Sequence, residues 1–404
     1  MAGVGNASAC RMGEVKHGGG GPITVCFPFV GDLVGGSHIS ACGLIRAIDR
    51  RRFQPLVLVQ HPGGAIARLF EDAGITVEAA PQSAVLHHGN RISALGGLSL
   101  AGGAVPLARF LRRRGVAIVH SNDGRTHATW ALATRLARAK LLWHHRGSPD
   151  AAGLRLAAPL LANRVVAVSH FASPRARRFS AAARTAVIHS PFDTSRSYDR
   201  DSARQAILEA LSLSPDTRLI AFSGALIDRK RPLLFVEAIA ALRRKCPDLD
   251  VRGLLFGEAL DGMDAQVRAH AERYKVADAI HQMGFRSPGA FWLAGCEMLM
   301  VPAVDEPFGR TLIEAMLMGT PVVATASGGN IEAIRDGETG KLVPAEDAEA
   351  LADGCASLLR APQDAARIAE TARAEALARF GESRHADAIM ALYDDMLARR
   401  AARA

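Results

Sequence analysis

Short apolar runs alternate with longer amphipathic segments along most of the chain. Continuous apolar runs are typical of strands that are buried on both faces, and amphipathic segments are typical of the helices that cover them. The predicted strands of the first half are residues 23–27, 56–59, 75–78, 117–120, 140–144, 164–168 and 185–189. The predicted helices of this half are residues 36–48, 65–73, 105–114, 126–137 and 169–178. This alternation predicts a parallel sheet wrapped by helices.

The alternation stops at residues 190–204, where a Ser-Pro-Phe-Asp sequence indicates an interdomain linker leading into a helix at 202–211. A second set of predicted strands follows at residues 218–223, 251–257, 279–283, 298–301, 322–325 and 340–343. The predicted helices of this set are residues 231–246, 261–274, 287–294, 308–318, 331–336, 347–359 and the long stretch 362–400. Two such α/β domains facing each other leave a cleft at the carboxyl ends of both sheets, where open α/β folds bind ligands.

Composition agrees with two domains. The chain has 404 residues, of which 49% are hydrophobic, enough for two cores. It has no uninterrupted apolar run of about 18 residues, so no membrane span is predicted. Residues 1–22 are Gly-rich and polar and are expected to form a disordered tail and not a secretory signal. The six cysteines are scattered without a C-x-x-C pair, which argues against structural zinc and fits a reducing cytoplasm.

The positive charge lies almost entirely in the first half. Residues 1–193 contain 23 Lys and Arg against 9 Asp and Glu, a net charge of +14, whereas the remainder contains 26 against 31, a net charge of −5. Basic clusters occur at residues 50–52, 112–114 and 175–178. Such a face can attract an anionic membrane or a phosphorylated acceptor, or it can simply be a solvated arginine-rich surface. Nucleic acid is not expected as a partner, because no recognised binding motif accompanies the charge.

The segment with the clearest candidate chemistry is residues 298–325, which read MLMVPAVDEPFGRTLIEAMLMGTPVVAT. An apolar strand is followed by a loop with two acids, a tight turn, and a helix that ends at Gly319. The unpaired N–H groups at the start of that helix predict a site for phosphate or sugar oxygens. Glu306 in the loop and Glu314 in the helix are expected to face one cleft, where carboxylates accept hydrogen bonds from vicinal hydroxyls.

This segment resembles the donor-site signature of glycosyltransferase family 4, the glycosyl transferases group 1. The resemblance rests on E-P-F-G-x-x-x-x-E-A, on G-T-P-V-V-A-T-x-x-G-G, and on D-G-E-T-G-K-L-V-P at residues 336–344. It extends over residues 23 to about 393 and is densest at 223–359. It implies a retaining enzyme of the GT-B fold, with two Rossmann-like domains facing across a cleft. The implied domains are 23–193 for the acceptor, 194–385 for the nucleotide-sugar donor, and a C-terminal helix at 386–404 packing back toward the first domain.

The resemblance also implies roles for residues of the signature. Glu306 would bind hydroxyls of the donor sugar, and Glu314 would bind the ribose. The amides of the helix start would meet the sugar and the diphosphate. The residues expected at this part of the donor site are Phe308, Gly309, Arg310, Thr311 and Leu312.

A second match follows the predicted strand at 218–223, in the sequence SGALIDRKR, which resembles the family's G-R-L-x-x-x-K segment. There an Arg and a Lys neutralise the diphosphate leaving group, and Lys230 matches the Lys. Ala225 stands where the family usually has the Arg, and Arg229 or Arg231 is available to replace it. Ser223 and Gly224 are expected to border the donor, and the resemblance places the base near Gly284, Phe285 and Arg286.

The first half contributes weaker matches. Gly35 and Gly36 resemble the glycines of the family's first loop, where the backbone approaches the diphosphate. The sequence Trp-His-His-Arg ends the predicted strand at 140–144, and the family often has a His near the anomeric carbon at this point. His145 is favoured for that role, with His144 and Arg146 as alternatives and an ordinary structural His as another. His120, Asn122 and Arg146 are expected to face the acceptor.

No metal or other cofactor is expected, only a nucleotide-diphosphate sugar as co-substrate. The D-x-D spacings Asp199–Asp201 and Asp248–Asp250 are interpreted as surface acids. Two other functions remain open: a degenerate protein that binds sugar nucleotides without turnover, and a GT-B sugar-nucleotide epimerase. A dinucleotide oxidoreductase is disfavoured by the missing G-x-G-x-x-G.

Overall fold

The computed structural model describes residues 21–82 and 94–401. Most of the predicted tail, residues 1–20, therefore lies outside the described residues. The first sheet has seven strands in the order β3-β2-β1-β4-β5-β6-β7, and all neighbours are parallel. These strands are β1 Ile23–Phe29, β2 Phe53–Val59, β3 Val77–Ala79, β4 Ile118–Ser121, β5 Lys140–His145, β6 Arg164–Ala167 and β7 Thr185–Val187. The helices of this domain are α1 Gly36–Ala47, α2 Ala65–Glu71, α3 Ala94–Arg113, α4 Gly124–Leu136 and α5 Ala158–Leu161.

The second sheet has six parallel strands in the order β10-β9-β8-β11-β12-β13. These strands are β8 Arg218–Ser223, β9 Val251–Phe256, β10 Ile280–Gly284, β11 Met298–Val301, β12 Val322–Thr325 and β13 Lys341–Val343. The helices are α6 Arg200–Leu211, α7 Pro232–Lys245, α8 Met263–Arg273, α9 Gly289–Ala294, α10 Arg310–Leu317, α11 Asn330–Ala333, α12 Ala348–Arg360, α13 Pro362–Arg379 and α14 Glu382–Ala401. All thirteen predicted strands are present, and the predicted two-domain α/β fold is confirmed.

The cores lie on both faces of each sheet. Strand β11 is buried along its whole length, and its side chains divide between the two cores of the second domain. Helices cover both faces of the sheet, so every position of a central strand meets apolar neighbours. A continuous apolar run such as β11 is therefore suited to this place. Each sheet thus forms a stable three-layer unit whose carboxyl edge faces the other domain.

Helix α14 follows the second domain in sequence but packs on the first. Its buried residues recur every three or four positions and join the core around β1 and β2. These residues are Ala386, Ile389, Met390, Tyr393 and Met396. The helical stretch expected at 362–400 is interrupted at Phe380 and Gly381, where the Phe192 N–H donates to the Phe380 carbonyl at 2.8 Å. This break lets the chain change direction between the two domains.

The helix predicted at residues 169–178 is wrong. The segment is a single turn followed by irregular chain, because Pro174 disfavours helical backbone in the residue before it. The turn is held from the other domain: the Glu332 carboxylate accepts hydrogen bonds from the N–H groups of His170 and Phe171, both at 2.8 Å. The segment is therefore an interdomain contact.

Within the described ranges, none of the helices combines the length and the apolar character that a bilayer span requires.

Candidate functional site

A cleft of about 1530 Å³ lies between the two domains. Loops that follow β1, β4 and β5 border it on one side, and loops that follow β8, β9 and β11 border it on the other. Carboxyl ends of parallel strands are where α/β domains place their ligands, because the loops there are free to vary. The predicted site residues can be located against this cleft.

The loop between β11 and α10 packs closely against two glycines, Gly328 and Gly329. Gly328 has φ +58°, and a Cβ atom there would lie 2.5 Å from the Glu306 carbonyl oxygen. A Cβ atom on Gly329 would lie 2.6 Å from the Pro307 carbonyl oxygen, and the Gly329 N–H donates to the Glu306 carbonyl at 2.7 Å. Only glycine permits this approach. The G-G of the signature thus positions the Glu306 backbone.

The Glu306 side chain is buried and paired with two cations. Its Oε2 lies 2.8 Å from Lys230 Nζ and 2.5 Å from Arg229 Nη1. Burial by itself would raise the pKa of the Glu306 carboxyl, but Lys230 and Arg229 outweigh burial and hold that pKa below its usual value. Both contacts use Oε2, and among the described residues no hydrogen bond to Oε1 occurs. Glu306 is therefore an ionised carboxylate with one oxygen directed at the cleft.

The Lys230 side chain passes Gly224 on its way to Glu306. Gly224 has φ +138°, and a Cβ atom there would contact Lys230 Cε at 3.5 Å. Gly257 approaches Gly224 so closely that a Cβ atom on it would lie 1.9 Å from the Gly224 carbonyl oxygen. The two loops that follow β8 and β9 are thus packed backbone against backbone, and Ser223, Gly224 and Lys230 all line the cleft.

The structure distinguishes the two arginines that the sequence left open near Ala225. Arg229 and Ala225 line the cleft, and Arg229 contacts Glu306. Arg231 instead pairs with Asp228 and Glu346, each at 2.7 Å, and does not line the cleft. Arg229 is therefore the cation that stands nearest to the position of the missing family Arg.

We expect Arg229→Gln to lower kcat/KM for the nucleotide-sugar donor that the signature implies by about 10- to 100-fold, the worth of one charge-assisted contact. Arg231→Gln is the matched control, because it removes the same charge two residues away outside the cleft. Steady-state kinetics on both variants measures the difference. An equal effect of the two substitutions would contradict the placement of Arg229 at the donor.

Arg310 connects the two domains from the start of α10. Its Nη1 donates to Ser40 Oγ at 2.8 Å and to the Pro191 carbonyl at 3.1 Å, and its guanidinium lies 4.3 Å from the centroid of the Phe192 ring. Gly36 makes room for it, since a Cβ atom there would lie 2.8 Å from Arg310 Cδ. The predicted backbone glycine of the first loop is thus a contact for an arginine side chain of the other domain.

Glu314 lies one turn further along α10 and lines the cleft. Burial raises the pKa of its carboxyl, and Arg310, 3.5 Å away, opposes that rise. Phe308, Gly309 and Thr311 also line the cleft, whereas Leu312 is fully buried in the core and does not. Phe285 and Arg286 line the cleft, with Phe285 77% exposed, and Gly284 lies behind them at the end of β10.

On the first-domain side, Gly35, Gly36, Asn122, His145 and Arg146 line the cleft. His145 Nε2 lies 2.9 Å from the Ser148 carbonyl, so this nitrogen carries the proton and donates it there. Side chains alternate along β5, so Trp143 and His145 face the cleft and His144, between them, points away from it.

His144 and His120 lie behind the cleft wall and are fully buried. Arg146 Nη2 donates to His144 Nδ1 at 3.3 Å, which makes that nitrogen an acceptor. His120 Nε2, 3.1 Å away, then donates to the same nitrogen, and Tyr393 Oη donates to His120 Nδ1 at 2.6 Å. Neither His144 nor His120 is placed to touch a ligand. Instead, the contacts that run from Tyr393 in α14 through His120 and His144 orient the Arg146 side chain.

Another buried histidine, His385, gives the protein a pH-dependent stability. Its Nδ1 donates to the His189 carbonyl at 2.7 Å, and burial, followed by repulsion from Arg146, lowers its pKa to about 3. Because the unfolded state binds this proton near pH 6.5 and the folded state does not, the free energy of unfolding falls as the pH drops from about 6.5 toward 3.

We expect the His385 contribution to the free energy of unfolding to fall by about 1.4 kcal/mol per pH unit below pH 6. Urea unfolding between pH 7 and 5 measures the slope. His385→Asn should reduce that slope by one proton, whatever its effect at pH 7. An unchanged slope would show that His385 titrates normally in the folded protein.

The D-x-D acids lie outside the cleft. Asp199 caps α6 through the Ser202 N–H at 2.7 Å, and Asp250 accepts from Thr217 Oγ1 at 2.7 Å. Within the part of the chain that the structure describes, no group of three or more His, Cys, Asp or Glu side chains is arranged to hold a metal ion.

Sequence reasoning expected the Arg310 amide at the donor but missed the contacts of its side chain with the first domain, and it missed the contact of Glu332 with the first domain. The Arg310 side chain had one detectable signal, because a cation in the first turn of a helix opposes the helix dipole and therefore needs another partner. Glu332 had no such signal, since its contact with His170 and Phe171 depends on how the two domains meet.

Parts of this chain are similar in sequence to known proteins. Residues 203–375 match the model of the family described as glycosyl transferases group 1. A D-inositol 3-phosphate glycosyltransferase of Paenarthrobacter aurescens (strain TC1) is 36% identical over 145 residues, covering 34% of this chain and 36% of that protein. The protein of that name from Mycolicibacterium paratuberculosis is 35% identical over 216 residues, covering 52% and 47%. The chain thus spans about half or less of the length of these curated relatives.

Solved structures are similar over nearly the whole chain. Anabaena Alr3699/HepE in complex with UDP and glucose has a TM-score of 0.77 at 23% identity, covering 92% of this chain and 99% of that one. A glycosyltransferase from Rickettsia africae has a TM-score of 0.75 at 19% identity, covering 93% and 99%. The fold is therefore GT-B, with two Rossmann-like domains facing across a cleft.

Proposed function

We propose that the protein is a retaining glycosyltransferase of family 4 that moves a sugar from a nucleotide-diphosphate donor to a glycan or lipid-linked acceptor. The observation that carries the proposal is the contact of Glu306 with both Lys230 and Arg229 in the cleft. The match of residues 203–375 to glycosyl transferases group 1 supports it. The UDP complex of the Anabaena protein makes UDP-sugars the first donors to test.

Charge development at the leaving group explains why these residues stand together. As the glycosidic bond breaks, negative charge grows on the nucleotide diphosphate, and preorganised cations stabilise it without reorganisation. Lys230, Arg229 and the free N–H groups at the start of α10 would supply that stabilisation. Because side chains and backbone provide it, the proposed reaction needs no divalent ion.

Glu306 and Glu314 would hold the two ends of the donor. The free Oε1 of Glu306 would accept a hydrogen bond from a sugar hydroxyl, and Glu314, further along α10, would bind the ribose. In a retaining transfer the acceptor hydroxyl attacks from the face that the leaving group vacates and passes its proton to the departing phosphate. Contact between the domains through Arg310 would keep water from the reacting centre.

Arg146 supports an anionic acceptor. It is oriented by Asn122, Ser190 and His144, and none of its contacts among the described residues is a carboxylate. Burial, followed by repulsion from Arg310, lowers the pKa of its guanidinium. A phosphate on the acceptor would supply the missing counter-charge. We therefore propose an acceptor used in cell-surface polysaccharide, lipopolysaccharide or glycolipid assembly, with the enzyme working at the inner, cytoplasmic face of the membrane.

The experiment is a screen of nucleotide sugars by calorimetry, paired with an assay that measures donor consumption with and without EDTA. We expect one donor to bind and to be consumed, with consumption unchanged by EDTA. Binding without turnover would support a sugar-nucleotide-binding protein instead. Epimerisation of the donor sugar without any acceptor would support an epimerase.

A further inference from the structure

Three large apolar side chains are exposed together on the first domain. Leu156 and Leu160 are each 65% exposed, and Phe179 is 54% exposed. Leu156 lies in a π-helical turn, Gly153–Ala157, that runs directly into α5, and Leu160 follows it four residues later on the same face. Leu156 and Phe179 line one shallow groove of about 210 Å³. Single exposed leucines are common, but a contiguous exposed group of this kind marks an interaction surface.

The same surface is strongly basic. Arg155, Arg175 and Arg177 line the groove with the apolar side chains, and Arg178 is exposed beside them. Residues 146–190 contain seven arginines and one acid, Asp150, which lies 3.6 Å from Arg175. We use "the 155–179 patch" for Arg155, Leu156, Leu160, Arg175, Arg177, Arg178 and Phe179. An apolar centre within a basic rim matches the interface of an anionic bilayer.

The 155–179 patch adjoins the first-domain half of the cleft. Leu154 lines both the shallow groove and the cleft. Beyond it the cleft wall is apolar, formed by Ala131, Leu132, Trp143, Ala157 and Leu161. The 155–179 patch and the apolar wall of the cleft therefore lie on either side of Leu154, which is itself buried.

We infer that the 155–179 patch docks on an anionic phospholipid bilayer, with Leu156, Leu160 and Phe179 entering the interface and the arginines contacting lipid phosphates. The inference deepens the proposed function, on which it rests for the acceptor: docking through this patch would hold the cleft next to the bilayer that carries a lipid-linked acceptor. The docking itself involves no residue that binds the donor, so the two proposals fail separately.

The first test is co-sedimentation with vesicles of phosphatidylcholine and phosphatidylglycerol, compared with phosphatidylcholine alone. The wild-type protein should bind the anionic vesicles, and the bound fraction should fall as salt rises. The variant R155S/R177S/R178S should bind about 100-fold more weakly at low salt, since each arginine near an anionic surface is worth about fivefold. Leu156→Ser with Phe179→Ser should also weaken binding, with salt dependence retained.

The matched control is R109S/R113S/R135S, which removes three exposed charges from the same domain. Arg113 is the last residue of α3 and Arg135 lies in the last turn of α4, and the carboxyl ends of such helices lie at the sheet edge opposite the cleft. This control should bind vesicles nearly as well as the wild type. Equal losses in the two triple variants would reduce the interaction to general charge and overturn the inference, as would absence of vesicle binding at low salt.

A second test reports insertion directly. Phe179→Trp should give a blue-shifted emission with anionic vesicles and quenching by brominated lipid, because the ring enters the interface. Leu136→Trp, at an exposed site in the last turn of α4, should give neither. Donor binding by calorimetry should be unchanged in every variant named here. A response of the Leu136→Trp protein equal to that of Phe179→Trp would contradict docking through the 155–179 patch.

Discussion

Lys230→Ala is expected to lower the turnover of the nucleotide-sugar donor by about 10²- to 10³-fold, the usual effect of removing one group that stabilises a developing anion. The ammonium lies 2.8 Å from Glu306, inside the cleft and beside the start of α10. Removing it takes away a positive charge from the proposed site of the diphosphate and leaves Glu306 with Arg229 alone. The loss should appear mainly in kcat, because the charge on the leaving group grows as the bond breaks.

Lys245→Ala is the control for this substitution. Lys245 is the last residue of α7, and it pairs at the surface with Glu349 at 3.0 Å and Asp353 at 2.7 Å. Surface pairs of this kind contribute little, so the control should retain turnover and nearly the same melting temperature. Glu306→Gln tests the partner with little change in volume. If Lys230→Ala and Glu306→Gln both keep near wild-type transfer, the site assignment is wrong.

Gly328→Ala is expected to lower the free energy of unfolding by about 3 kcal/mol or more and to abolish tight donor binding. Part of the loss is the left-handed backbone at φ +58°, which costs an L-residue about 1–2 kcal/mol. The rest is the overlap of the new methyl group with the Glu306 backbone, 2.5 Å from its carbonyl oxygen. Since the Glu306 carbonyl oxygen is a backbone atom and not the end of a flexible side chain, the Glu306 loop must move to make room for the methyl group.

Gly337→Ala separates the two contributions. Gly337 has φ +73°, and a Cβ atom there would meet nothing within 4 Å. This control should show the backbone cost alone, with donor affinity unchanged. Urea unfolding and donor calorimetry on both variants measure the difference. Similar losses of stability and affinity in the two proteins would show that close packing under Glu306 is not what positions it.

The sequence predicted the fold well because its dominant signal is local. Runs such as 298–301 and 322–325 are apolar throughout, and such runs form strands in parallel sheets whatever their partners are. The error at 169–178 arose where the backbone is held by Glu332, about 160 residues away. Spacing along the chain carries no information about such a contact.

The part of the candidate site that lies close together in sequence was predicted because its signal is also local. Glu306, Gly309 and Glu314 belong to one loop and its helix, so their proximity follows from sequence neighbours. The choice of Arg229 over Arg231 depends on which side of a tight turn faces the cleft, and composition does not determine that. The position of Arg310 against Ser40 depends on the meeting of two domains that fold around separate cores.

Trp143 and Trp292 stand on opposite walls of the cleft, and the remaining tryptophan, Trp130, is buried in the first domain's core. Their indole emission therefore makes the protein its own optical reporter. Trp292, 5.3 Å from the Arg286 guanidinium, lies on the side proposed for the donor, and Trp143, stacked on His127 at 3.9 Å, lies on the side proposed for the acceptor. In a Trp143→Phe protein, the emission of Trp292 would report donor binding without a dye or radiolabel. In a Trp292→Phe protein, the emission of Trp143 would report acceptor binding.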